Sequence, residues 1–293
     1  MKKGMIRNLF VGNAMIGEAT RAWRRYWNGG GTTAGRIANW VTVILVVLGY
    51  LWLTALITKE PSGWFSALPT LELLAVTILI PITVYGAIAG ERERATWEAL
   101  ILTRLTPGQI IFGKVYWRVL LVLGIVILSS VLVMMSVALP YTGTIRAEVD
   151  PRISFAKLMQ LQFMVMSWGI FLCSLGLWVS ANSRRSVTSA AVFFGILIGF
   201  LGFLPLLFSL MGISMSAMNE PKNPIFALIQ FFWLHYNPFH IAYAGLKGRN
   251  GDALMQDWIF SLPGAGIFYL VGAAWCLYGV HVRLRILEEP KRR

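Results

Sequence analysis

A chain of 293 residues that is 57% hydrophobic and only 13% charged has about half the charge a soluble globule needs, where ~25% is usual. Its mean hydropathy of +0.65 excludes an ordinary water-soluble globule and points to lipid as the main solvent. The net charge of +13 then has three readings: nucleic acid, an anionic membrane surface, or the orientation of membrane spans.

The N-terminal stretch lacks a short apolar core followed by a small-residue cleavage site, so no removable signal peptide is expected. Residues 13–26 read NAMIGEATRAWRRY, with apolar and aromatic side chains interleaved with Arg21, Arg24 and Arg25. The pattern predicts a helix lying in the membrane interface with its arginines near lipid phosphates; the alternative is a plain basic flank. Gly29, Gly30 and Gly31 break the chain before the first apolar run.

Six apolar runs follow, near Trp40 to Ile57, Ala67 to Gly90, Val119 to Pro140, Leu158 to Asn182, Ser186 to Gly212 and Trp258 to Val280. Each approaches the ~20 residues a helix needs to cross hydrocarbon, and backbone amides in lipid must be satisfied within the segment. The expected fold is therefore all-α, a polytopic membrane protein of six transmembrane helices, with kinks at Pro81, Pro205 and Pro263. Three regions follow: an N-terminal segment 1–38, a transmembrane domain 39–282 and a basic tail 283–293.

Of the 26 Lys and Arg, 19 fall in the N-terminal segment, the second and fourth loops and the tail. The positive-inside rule places those four segments, and both termini, in the cytoplasm. Topology thus accounts for the charge, and no nucleic-acid partner is expected.

The second of these loops carries most of the information. Gly90-Glu91-Arg92-Glu93-Arg94-Ala95-Thr96-Trp97-Glu98 opens it with both signs of charge, and a short amphipathic helix is predicted from about Thr96 to Leu102. Thr106-Pro107-Gly108 then breaks the chain, with Pro107 suited to the first turn of the next helix. Glu91, Glu93, Thr96, Glu98, Leu100, Thr103, Leu105 and the Gly113-Lys114 pair fall in register with a pattern that runs roughly E-x-E-x-G-T-x-E-x-L-x-x-T-P-L-S, then G-K. In this respect the stretch resembles the signature region of ABC transporter permeases of the ABC-2 type. It departs from that pattern at Ala95, where the family usually has Gly, at Arg104, where it often has Pro, and at Thr106, which replaces Ser.

The resemblance implies a coupling helix, in the loop 91–118, that docks on a separate soluble ATPase subunit. It implies docking roles for Glu91, Glu93, Arg94, Thr96, Glu98, Leu100, Thr103, Arg104, Leu105, Thr106 and Lys114. It also implies a second permease subunit, alike or related, a multi-pass location in a bacterial inner membrane, and export as the activity. No cofactor is expected in this chain, with ATP and magnesium on the partner. Apolar anchors such as Leu100, Ile101 and Leu105 with flanking charges suit a cleft on a soluble protein; the bland reading is a solvated loop at a span end.

Gly108 to Lys114 reads GQIIFGK and mimics a P-loop, but Val115 stands where Ser or Thr would hold magnesium, and no strand precedes it. No other stretch offers a nucleotide site, so the chain is not expected to be an enzyme by itself. Glu72 is the acidic residue predicted inside a span, near its outer end, and is a candidate pathway or cavity residue. The external region 214–257 contains IFALIQFFW at 225–233, too short to cross, and Asn237-Pro238-Phe239-His240, which resembles the N-P-F segment before the last span of that family. A re-entrant excursion and an interfacial aromatic patch are both compatible with it.

His235 and His240 are five apart, not on one helical face, so no metal site is expected. Cys173 and Cys276 read as packing residues. The rival functions are a stand-alone secondary transporter, an intramembrane enzyme, and a non-transporting membrane anchor for an ATPase-driven complex. The first lacks midplane charges and repeats, and the second lacks a catalytic constellation.

Overall fold

A computed structural model describes residues 32–59, 61–96, 106–138, 155–203, 237–247 and 262–288. The N-terminal segment expected at the membrane interface, loop residues 97–105 and most of the region expected to be external lie outside them. The described helices are α1 (Thr33–Lys59), α2 (Pro61–Val84), α3 (Ala89–Glu93), α4 (Pro107–Ala138), α5 (Phe155–Asn182), α6 (Ser186–Ile198), α7 (Pro238–Lys247) and α8 (Leu262–Glu288). Five residues of π-helix, Gly199–Phe203, continue α6. No strand occurs among the described residues.

Six segments are long and apolar enough to cross a bilayer: 33–59, 67–93, 107–135, 156–182, 186–203 and 262–285. They coincide with the six predicted runs. The third differs most, because its helix begins at Pro107 rather than near Val119 and so carries the end of the loop as its own first turns. At 27 residues, α1 is about 40 Å long, enough for the ~30 Å hydrocarbon layer.

The distribution of side chains is that of a protein dissolved in lipid. Trp40, Ile44, Leu48, Leu51 and Trp52 on α1 and Val271 and Trp275 on α8 are exposed, whereas Glu72, Thr77, Gln162, Ser167, Ser174 and Ser180 are buried. Water would reverse that pattern, since soluble monomers rarely leave such apolar stripes open.

α5 is the axis of the bundle. Its Leu161, Met164, Val165, Trp168, Leu172 and Leu177 form one core with Leu73, Val76, Ile80 and Val84 of α2 and Ala265 and Tyr269 of α8. Phe163, Phe171 and Trp178 of α5 lie on Gly266, Gly272 and Gly279 of α8 in that order, so the two helices run parallel. A second cluster joins Ile57 of α1 to Leu132 and Val133 of α4 and Leu158 of α5. The end of α1 therefore sits with the end of α4 and the start of α5, and the start of α1 sits at the opposite end, with the end of α3, the start of α4 and the turn 183–185.

The expected kinks resolve differently. Pro81 lies inside α2, which ends three residues later at Val84, and the chain turns over 85–88 before α3. Pro263 lies in the first turn of α8, where its missing N–H costs nothing. Pro205 is outside the described residues. The N-P-F segment proves to be a helix start: the Asn237 side-chain oxygen accepts from the backbone N–H of Phe239 (3.0 Å) and His240 (3.4 Å), and Pro238 opens α7. At ten residues, α7 is too short to cross; it packs on α2, α5 and α8 and buries Ile241 and Ala242 among them.

Candidate functional site

The two ends of the signature loop are fixed by two different helix-terminus devices. At its start, α3 closes with the Thr96 N–H bonded to the Glu91 carbonyl (3.0 Å) and the Ala95 N–H bonded to that of Arg92 (3.2 Å). This is a Schellman motif, and Ala95 holds its left-handed position at φ 57°, the one positive φ of a non-glycine among the described residues. At its finish, Thr106 and Gln109 form a capping box. The Thr106 N–H donates to the Gln109 side-chain oxygen (2.9 Å), and the Gln109 N–H donates back to the Thr106 hydroxyl (3.4 Å), with Pro107 in the first helical position. Thr106 thus supplies the capping hydroxyl of α4.

Between these ends and the bundle stand four charged side chains. Lys114, one exposed only 8%, donates to Glu91 Oε1 and to the Ala87 carbonyl, both at 2.6 Å. Arg92 donates to the carbonyls of Ala181 (2.9 Å) and Ser183 (3.3 Å), at the C-terminus of α5. Glu93 accepts from the backbone N–H of Ser186 at 3.1 Å and from its hydroxyl, at the N-terminus of α6. The signs match the helix dipoles: a cation meets the carbonyl end of one helix and an anion meets the amide end of the next. Two adjacent residues of α3 therefore cap both sides of the turn that joins α5 to α6.

α5 returns the contact. The Ser180 hydroxyl accepts from the N–H groups of Ile88 and Ala89, both at 3.0 Å, capping α3 from another helix because Ile88 has no side chain able to do so. Ser189 of α6 donates to the Tyr85 carbonyl at 2.6 Å, and Arg118 of α4 donates twice to the Thr83 carbonyl, at 3.1 and 2.7 Å. The broken end of α2 thus has its backbone groups met by α4, α5 and α6 together.

Of the residues expected to dock a partner, Glu91, Glu93, Thr96, Thr106 and Lys114 take part in this junction, while Glu98, Leu100, Thr103, Arg104 and Leu105 lie outside the described residues. Arg94 is exposed beside it. Glu91 and Glu93 use carboxylate oxygens on the chain's own helices, where docking contacts were expected. Lys114 stands inside α4, with 108–114 wound as helix rather than as a phosphate-cradling loop. Sequence reasoning passed over Arg92, Arg118, Ser180, Ser186 and Ser189. Serines immediately before or inside a span give no periodic signal, and their partners lie about 90 residues away.

A family model described as ABC-2 family transporter protein matches residues 70–277, which takes in the junction and five of the six spans. The chain belongs to the ABC-2 transporter family. No curated protein matches it significantly. As a protein of that family it is a multi-pass transmembrane component of an ABC transporter, the part that spans the membrane rather than the ATPase.

Glu72 stands apart from the junction. It is 3% exposed and lies in α2 against α5, where the Gln162 amide donates to its Oε2 at 3.2 Å. Five residues further on, the Trp168 indole N–H donates to the Thr77 hydroxyl at 3.0 Å. These are interhelical polar rungs, and Glu72 is enclosed by helices rather than reaching toward the membrane surface. Cys173 and Cys276 are buried free thiols. No group of three metal-ligating side chains occurs among the described residues.

Proposed function

We propose that this ABC-2 protein is the permease subunit of an exporter whose energy comes from a soluble ATPase docked at residues 97–105. Both termini and both short loops would then face the cytoplasm. The carrying observation is the junction at Glu91, Arg92 and Glu93, which ties one end of that loop to four spanning helices at once. A load applied to the loop reaches α4 through Lys114 and reaches α5 and α6 through Arg92 and Glu93. Because α5 packs along α2 and α8, it cannot tilt alone, and the bundle shifts between discrete arrangements.

The labour is divided along the loop. Residues 91–93 transmit within the chain, and 97–105, with Glu98 and Leu105, meet the partner. A second permease subunit would complete the pathway. ATP and magnesium would be held by the ATPase, consistent with the helical conformation of 108–114. Copurification tests the docking half: the wild-type chain retains a soluble ATPase through washing, and Glu98→Lys or Leu105→Glu releases it. Retention by both variants would move the docking site elsewhere. A chain that moves solute with no nucleotide-hydrolysing partner present would favour the secondary-transporter reading.

A further inference from the structure

Between α5 and α6, beside the turn that Arg92 and Glu93 cap, an open cleft of about 620 Å³ is lined by Trp178, Asn182, Arg184, Arg185, Thr188 and Val192. Its two halves differ in chemistry. Arg184 and Arg185 are exposed at one end, and among the described residues neither guanidinium donates a hydrogen bond to another side chain or carbonyl. Glu93, the carboxylate near Arg185, already accepts twice from Ser186. The other half is apolar, with the Trp178 ring 40% and Val192 46% exposed. The ring is seated rather than loose, because a Cβ on Gly279 would come within 2.8 Å of its Cδ1 and Nε1. Two arginines above an exposed indole and valine match a ligand with an anionic head and a hydrocarbon body. The two guanidinium groups carry ten N–H donors to offer a phosphate, and tryptophan belongs at headgroup depth.

We propose that this cleft binds an anionic phospholipid, its phosphate on Arg184 and Arg185 and its chains against Trp178 and Val192. The site rests on the reading that this end of the bundle faces the cytoplasmic leaflet, where anionic lipids concentrate. It is independent of the docked ATPase. The lipid stands next to the Glu93–Ser186 contact and braces the same turn from outside the bundle.

The test uses the full chain in nanodiscs of phosphatidylcholine alone or with phosphatidylglycerol, with native mass spectrometry reading the lipid retained. Wild type is expected to keep phosphatidylglycerol in preference to phosphatidylcholine. Arg184→Gln with Arg185→Gln should weaken that retention about thirty-fold, two surface charges' worth, while Arg184→Lys with Arg185→Lys stays within a few-fold. Equal retention of the two lipids by wild type overturns the proposal, whether or not the Gln pair folds. So does a Gln pair that keeps its preference.

Displacement of the lipid by inorganic phosphate alone would assign the arginines to a free anion instead. Disulfide formation between two Thr188→Cys chains would put a second copy over the cleft, and would equally overturn it. Copurification of the ATPase by the Gln pair is expected to be unchanged, so failure here and failure of the docking reading are distinguishable.

Discussion

Ala95 shows what one side chain reveals at the residue scale. A left-handed C-terminal position costs a non-glycine residue about 1 kcal/mol, and the pattern this loop resembles has Gly there. Ala95→Gly is therefore expected to stabilise the protein by about that amount, read as a raised thermal midpoint in detergent; a lowered midpoint would contradict the cap. Lys114 makes the opposite case, since it is buried against Glu91. Removing one partner of a buried pair leaves an uncompensated charge, so Lys114→Met should cost about 3 kcal/mol, and adding Glu91→Leu should recover much of it. Additive losses in the double variant would show that the two side chains do not act as a pair. Glu72 accepts at Oε2 from an amide rather than from a cation. Glu72→Gln should keep the fold, and Glu72→Leu should lose about 1 kcal/mol with the interhelical bond. These partners could not be read from sequence. Lys114 read as a docking residue, and Glu72 as a residue near the outer end of its span, because pairings across 23 and 90 residues leave no local signature.

At the element scale, the six spans and the turn at Thr106-Pro107 were legible, since length, hydropathy and capping chemistry are local properties. The break in α2 was half legible. Pro81 announced a disturbance, but the chain turns only after Val84, where α5 comes closest. A Cβ on Gly176 would lie 2.1 Å from Val84 Cγ1 and 2.8 Å from Phe193 Cε1, so glycine is required for α2, α5 and α6 to meet. Gly176→Ala is expected to force them apart at a cost of about 1–3 kcal/mol, measured by thermal unfolding, and Val84→Ala in the same chain should relieve part of it. Full stability of the single variant would mean that the helices are less closely apposed than described. The run read as too short to cross, 225–233, lies outside the described residues, and the capped N-terminus of α7 shows that Asn237-Pro238 starts a helix.

At the scale of the whole molecule, the alternation of spans brings the ends of α2, α5 and α8 to one end of the bundle, together with the starts of α4 and α6. That end holds the described part of the charge that sequence had assigned to the cytoplasm, Arg92, Lys114, Arg184 and Arg283 among it, and the described part of the motif that sequence had assigned to a partner. What sequence did not show is that Arg92 and Glu93 turn inward and cap the α5–α6 turn, so the motif is partly a clamp on its own bundle. The central claim is that a push on the loop moves α5 and α6 through that clamp. The most direct measurement is the mobility of a spin label at Val187→Cys, an exposed position on α6, in the complex with its ATPase as ATP is added. The account predicts a nucleotide-dependent change in the wild-type background, and its loss in Arg92→Ala with Glu93→Ala although the ATPase remains bound. An unchanged response in that double variant would contradict it.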